Sequence, residues 1–215
     1  MDRRLKPFSG RVALVSLKDE LVAPYTEGEP GQVIVPLADL YDKPGGARLR
    51  QFLLGSAVTI VDRDRGHVFV QATRDGYCGW LKEGAVGNGP EPTHWVVAPS
   101  AHLYAEPVVQ SQERAGITLG SRLAVTGSWG AWAGTPHGFV PLSHIRPLGQ
   151  WAPDPVSVAE SLLGTPYLWG GNSRFGIDCS GLVQISLHAC GKDCPGDSDM
   201  QMQMGRGLSP EDTLM

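Results

Sequence analysis

The sequence predicts a mixed architecture: two small all-β barrels in tandem, followed by the N-terminal part of an α+β unit. Short runs alternating apolar and polar residues, separated by Gly-rich and Asp-rich turns, fill the first two thirds of the chain. A degenerate motif recurs there at an offset of roughly 60 to 65 residues, longer than a solenoid unit and suited to two sequential units. After Leu148 the pattern changes to helix caps and a Gly-rich loop.

The repeat is carried by three pairs. Ala38-Asp39-Leu40-Tyr41-Asp42-Lys43-Pro44 returns as Ala101-His102-Leu103-Tyr104-Ala105-Glu106-Pro107; Leu54-Gly55-Ser56 returns as Leu119-Gly120-Ser121; Gly79-Trp80-Leu81 returns as Gly138-Phe139-Val140. Strands are predicted at 33–40, 57–62, 67–72 and 77–81 in the first copy, and at 94–97, 122–127, 129–133 and 138–141 in the second. The expected division is an N-terminal segment (1–32), a first β unit (33–90), a second (91–149) and the α+β part (150–215). Units this small are marginal alone, so packing against each other and the C-terminal part is expected.

The chain has 215 residues, 28 Gly, 17 Pro and a formal net charge of −4, a globular composition without the basic stripe that nucleic acid requires. Met1 to Leu21 carries charges at both ends and lacks the apolar core of a signal peptide. No stretch is long and apolar enough to span a bilayer, so a cytoplasmic location without membrane partners is expected. Cys78, Cys179, Cys190 and Cys194 form no CxxC pair, so reduced thiols are expected, with no zinc site and no cofactor.

In the α+β part, Asp154 caps a helix that begins at Pro155 and stops at Gly164, with Val156, Ala159, Leu162 and Leu163 as its apolar stripe. Asp178 caps a second helix from about Cys179 to Cys190, closed by Gly191. Cys179 therefore occupies the first turn, where unpaired amide N–H groups and the helix dipole favour a thiolate. Gly170, Gly171 and Gly176 permit close backbone approach to a substrate. A buried structural cysteine beside a tight turn is the alternative reading.

Pro166-Tyr167-Leu168-Trp169-Gly170-Gly171, Gly176-Ile177-Asp178-Cys179-Ser180-Gly181-Leu182-Val183-Gln184 and Pro195-Gly196-Asp197-Ser198-Asp199-Met200-Gln201 together resemble the signature of the NlpC-type cell-wall peptidases. The β units are similar to bacterial SH3-like domains, a combination resembling the subgroup that degrades free muropeptides inside the cell. The resemblance implies a papain-like α+β domain and hydrolysis of the γ-D-glutamyl bond to a diamino acid, with a murein tripeptide or related muropeptide as partner. It makes Cys179 the nucleophile and Tyr167 a contact for the oxyanion or substrate carbonyl. It places Asp178 and Ser180 at the free amino end of the peptide, Ser198 against the substrate, and Tyr77 over an N-terminal L-alanine. Asp178 serves equally as a plain helix cap. Tyr167 and Trp169 could both be core aromatics, the preferred reading for Trp169.

A cysteine peptidase needs a histidine to activate the thiol and protonate the leaving amine. His67, His94, His102, His137 and His144 fall in the SH3-like region; His188 lies nine residues past Cys179, ~13 Å along a helix axis and beyond direct reach. The expectation is a truncated and inactive peptidase domain, whose Leu182, Ile185 and Ala189 face lacks a full partner and favours another copy or a missing segment. A non-catalytic cell-wall-peptide binding module and a related amidase or acyltransferase are the competing readings.

Overall fold

The repeated Leu-Tyr pair lays down the same local structure twice. Strand Leu37–Tyr41 shifts register between Leu40 and Tyr41, and strand Ser100–Tyr104 shifts between Leu103 and Tyr104. Beyond each shift the tyrosine crosses to the partner that the repeat also conserves, Tyr41 opposite Trp80 and Tyr104 opposite Phe139. A bulge bends its strand, which lets a short sheet fold round its own core.

The structure, a computed structural model, describes residues 2–207 and 209. The first β unit is one antiparallel sheet in the spatial order Arg48–Leu53, Leu37–Tyr41, Cys78–Lys82, His67–Ala72, Ala57–Asp64, Glu29–Val33, Val86–Gly87. Val33, Leu40, Val68, Val70 and Leu81 fill its centre. In the second unit a five-stranded sheet packs with a three-stranded one around Val96, Leu103, Ile117, Leu123 and Val140. Two small β units followed by an α+β portion are thus present.

Some elements differ from expectation. The run 33–40 divides into Glu29–Val33 and Leu37–Tyr41, with Pro36, which has no N–H to donate to a ladder, in the break. The run 122–133 forms only Arg122–Leu123 before the hairpin Gly127–Trp129 and Trp132–Thr135, which turns at Gly130-Ala131. The strands that go unannounced in the sequence include Arg48–Leu53, Ser100–Tyr104 and Glu113–Thr118.

The Leu-Gly-Ser repeat joins the two units. Gly55 and Gly120 both adopt positive φ (79° and 87°), so each turn folds tightly enough for its N–H to reach Val33 O or Val96 O. Gly55 lies directly on the Arg122 carbonyl, where no Cβ fits, and Arg122 N donates to Leu54 O at 2.8 Å.

Helix α1 (Pro155–Glu160) is capped by Asp154, whose carboxylate accepts from Val156 N and Ser157 N. It ends before Gly164, and Val156 and Leu163 of the expected stripe are exposed; Leu162 of that stripe is buried as expected, and Val158, four residues before it, packs inward with it. Helix α2 (Cys179–Ala189) runs as expected, with Cys190 as its C-cap, and α3 (Ser198–Gln201) is a single turn. Leu53 of the first unit, Trp95 and Leu119 of the second, and Leu162, Ile177, Ile185 and Ala189 form one shared core. The α2 face expected to be unpartnered is therefore covered within the chain: Ile185 and Ala189 are buried and Leu182 packs at their edge.

Candidate active site

Asp178 builds the site from two directions. One carboxylate oxygen accepts from Gly181 N at 2.7 Å and from Ser180 Oγ at 3.0 Å, capping α2. The other accepts from Gly170 N at 2.9 Å, holding the Gly-rich loop against the cap. Asp178 N closes the loop by donating to Gly171 O. The cap and loop thus form one rigid corner, from which Cys179 projects as an exposed free thiol.

The edge strand Arg48–Leu53 receives this corner. Arg48 Nη1 donates to Trp169 O at 3.3 Å, and Asn172 N donates to Gln51 Oε1 at 3.2 Å. Deeper, Gln184 of α2 bonds the buried Arg50–Asp75 ion pair. On the other side, Arg174 N donates to Thr118 Oγ1 of the second unit at 3.0 Å. Gln201 Nε2 donates to Ser180 O at 2.9 Å and Pro195 O at 3.0 Å, bringing α3 back to the start of α2.

These contacts enclose a groove of about 490 Å³ beside Cys179. Tyr77, Asp178, Ser180 and Ser198 line it together with the thiol, so five of the six expected site residues converge. Tyr167 does not line it; its side chain is 67% exposed, and its backbone bridges Ile177. Trp169, preferred as a core aromatic, is 71% exposed and forms part of the groove wall. Its loop passes over the surface of the first β unit, where the edge strand takes up its backbone rather than its ring.

Tyr77 is buried at 2% exposure, with its phenol at the groove. Oη donates to Asp197 Oδ2 at 3.0 Å. Burial, and then the Asp197 charge, push the phenol well above its ordinary pKa, so it stays protonated. The Arg50 guanidinium lies over the Tyr77 ring, 4.8 Å from its centroid.

Nothing in the linear motif marks the N-terminal arm, yet Arg3, Arg4, Phe8, Ser9 and Gly10 line the groove. Arg4 Nη1 pairs with Asp197 at 2.7 Å, and its Nη2 pairs with Asp199 and with Asp2, each at 2.6 Å. Asp42 joins the lining from the first unit. The groove thus holds four carboxylates (Asp42, Asp178, Asp197 and Asp199) and two arginines. None of the six histidines lines it.

His188 faces away from the groove, into a separate interdomain cavity. Burial, then the Arg74 charge, hold its imidazole down to about 3, so it is neutral at neutral pH.

Residues 164–214 match the NlpC/P60 family, and residues 40–86 match the bacterial dipeptidyl-peptidase SH3 domain. The C-terminal segment is thus similar to the NlpC/P60 family over the matched residues. Among similar proteins, a gamma-D-glutamyl-L-lysine dipeptidyl-peptidase of Bacillus cereus (strain ATCC 10987 / NRS 248) is 30% identical over 186 residues, covering 75% of this chain and 56% of that protein. The protein of the same name from Bacillus subtilis (strain 168) is 31% identical over 147 residues, covering 64% and 49%. The chain spans about half the length of these curated relatives. A crystal structure of an NlpC/P60 family protein from Bacillus cereus ATCC 10987 superposes with a TM-score of 0.75 at 22% identity, covering 86% of this chain and 80% of that one, which shows a shared fold. Cys179 lies both within the matched segment 164–214 and in the wall of the groove. No helix among the described residues is long and apolar enough to cross a membrane.

Proposed function

We propose that the groove is the acyl half of a cysteine peptidase site for small cell-wall peptides with a free N-terminus. The observation that carries this is the exposed Cys179 thiol on the first turn of a capped helix, in a groove walled by Tyr77 and four carboxylates. A thiolate at Cys179 would attack the γ-D-glutamyl carbonyl, expel the amine of the diamino acid as it gains a proton, and leave a thioester for water to hydrolyse. The relatives' names point to γ-D-glutamyl-L-lysine as the bond.

The carboxylates suit an ammonium group at the other end of the peptide, and Tyr77 closes that end. Asp178 and Ser180 bond each other and the loop, so they act by shaping the wall as well as by contact. Ser198, on the opposite side, is free to meet the substrate backbone. The assignment of Tyr167 to carbonyl stabilisation rests on the resemblance alone. Recycling of murein peptides in the cytoplasm is the setting that this reading implies.

The absence of histidine from the groove favours a second reading for these residues by themselves, binding without cutting. An affinity label separates nucleophile and pocket from the question of the base. L-Ala-γ-D-Glu chloromethyl ketone should alkylate Cys179 and spare Cys78, Cys190 and Cys194, and N-acetylation of the probe should slow labelling at least about tenfold. Equal labelling of the four cysteines, or indifference to acetylation, would sink the proposal. Labelling without turnover of L-Ala-γ-D-Glu-L-Lys would place the general base outside these residues.

A further inference from the structure

A second cavity of about 430 Å³ opens between the two β units and the C-terminal end of α2, and no residue lines both it and the Cys179 groove. Arg74 comes from the first unit, Arg122 from the second and His188 from α2, and all three line this cavity. Each carries a polar group left without a good partner. Among the described residues the Arg74 guanidinium hydrogen-bonds only two carbonyls, His188 O and Lys192 O, both at 3.4 Å, long for an N–H···O bond. Arg122 forms no ion pair or side-chain hydrogen bond among the described residues, although the charge of Glu91 acts on it. His188 Nε2 is buried with no hydrogen-bond partner.

The charges of Asp193 and Asp75, both on the wall, act favourably on Arg74, but neither carboxylate bonds it. Asp75 is occupied by Arg50, Gln184 and Tyr77 N, and Asp193 is exposed. Burial disfavours the charged form of both arginines, and the charge of Arg122 adds to that effect on Arg74. Two guanidinium groups whose charges oppose each other, with the unpartnered Nε2 of His188 on the same wall, suit an anion. The volume falls in the range of small-molecule sites, and Phe52, Trp95, Trp151 and Ile185 add apolar wall.

We propose that this cavity binds a small organic oxyanion, its phosphate or carboxylate group held between Arg74 and Arg122 with His188 Nε2 as a third contact. A guanidinium offers a planar pair of N–H donors that matches either group. Neutral His188 donates a hydrogen bond when Nε2 carries the ring proton. The cavity shares no wall residue with the Cys179 groove.

Inorganic phosphate and glutarate, titrated calorimetrically into the full chain at constant ionic strength, test this. The expected result is one saturable site for at least one probe. In the unmodified chain the ¹⁵N resonances of the His188 ring should move with the same midpoint, a readout that needs no variant. Arg74→Gln and Arg122→Gln should each weaken binding by about tenfold or more, while alkylation of Cys179 stays unchanged and reports an intact fold. Phosphate alone binding assigns a phosphate ligand and glutarate alone a carboxylate; either supports the proposal. Failure of both probes to saturate, a motionless His188 ring, or equal affinity in folded Arg→Gln variants overturns it.

Discussion

Gln184 Nε2 donates to Asp75 Oδ2 at 3.0 Å, from the Cys179 helix to the first β unit. The same carboxylate oxygen takes Arg50 Nη1 at 2.6 Å, and Gln184 Oε1 accepts from Arg50 Nη2. The ring of three side chains is buried, with Gln184 only 1% exposed. Burial alone would raise the Asp75 carboxyl. The Arg50 charge and the hydrogen bonds from Tyr77 N, Arg50 and Gln184 outweigh it and hold that pKa below its ordinary value. Because each member satisfies the others, the helix can dock in one register only, which fixes Cys179 relative to Tyr77.

Asp75→Ala should therefore cost about 3–5 kcal/mol at neutral pH, since it strands the Arg50 charge in the interior. The folded pKa of Asp75 is depressed, so its contribution is full above the unfolded value and is lost as pH falls through the folded one. The gap between wild type and variant should then shrink as pH drops below about 4. Urea unfolding at neutral pH and at about pH 3 checks this; a gap that does not change with pH would refute it.

How much of this could be read from the chain depends on the range of the interaction. The Asp178 cap and the Cys179 helix rest on contacts within a few residues, and their residue types announce them; the Leu-Tyr repeat shows itself by recurring. Strand Arg48–Leu53 gives no such sign, because Arg50 and Gln51 occupy buried positions. Their polar groups are satisfied by Asp75, Gln184, Asp39 and the backbone of Asn172, from four distant places in the chain. Arg4 is hidden for the same reason, with partners 193 and 195 residues away. The shared core under α2 likewise draws on all three parts of the chain, so its helix face reads as unpartnered when taken alone.

Cysteine reactivity should follow exposure. Cys78 is buried, and burial followed by the Asp75 charge pushes its thiol up to about 12; burial also raises Cys190 and Cys194. Cys179 alone is exposed. Iodoacetamide at mildly alkaline pH should modify Cys179 first, and Cys78 only in denaturant. Peptide mapping by mass spectrometry reads the order, and early labelling of Cys78 would contradict this packing.

Arg4→Met should detach the N-terminal arm more than it destabilises the fold. Arg4 is about a quarter exposed, and two of its carboxylate partners are more exposed still. Solvent screening should therefore keep the stability loss to about 1 kcal/mol or less. The arm itself, however, would lose its ties to Asp197 and Asp199 across the groove. Limited proteolysis should cut within residues 2–12 faster in the variant, with an unfolding midpoint close to wild type. Unchanged cleavage would show that Phe8 and its neighbours hold the arm without Arg4.

Gly181→Ala sets helix propensity against packing. On propensity alone, alanine inside α2 should stabilise by roughly 1 kcal/mol. A Cβ at Gly181 would stand 2.5 Å from Gly171 O and 3.1 Å from Asp178 Oδ1, and the first of these is backbone held in the Gly-rich loop. The loop cannot yield without stretching the Gly170 N to Asp178 bond, so relief of the clash must open the corner that presents Cys179. The variant should be destabilised by about 1–3 kcal/mol despite its better helix former. Its Cys179 should also lose the discrimination between free and N-acetylated peptide probes. Urea midpoints and alkylation rates on the same samples decide it: a stabilised variant with unchanged selectivity would mean that the loop and the cap are not one rigid unit.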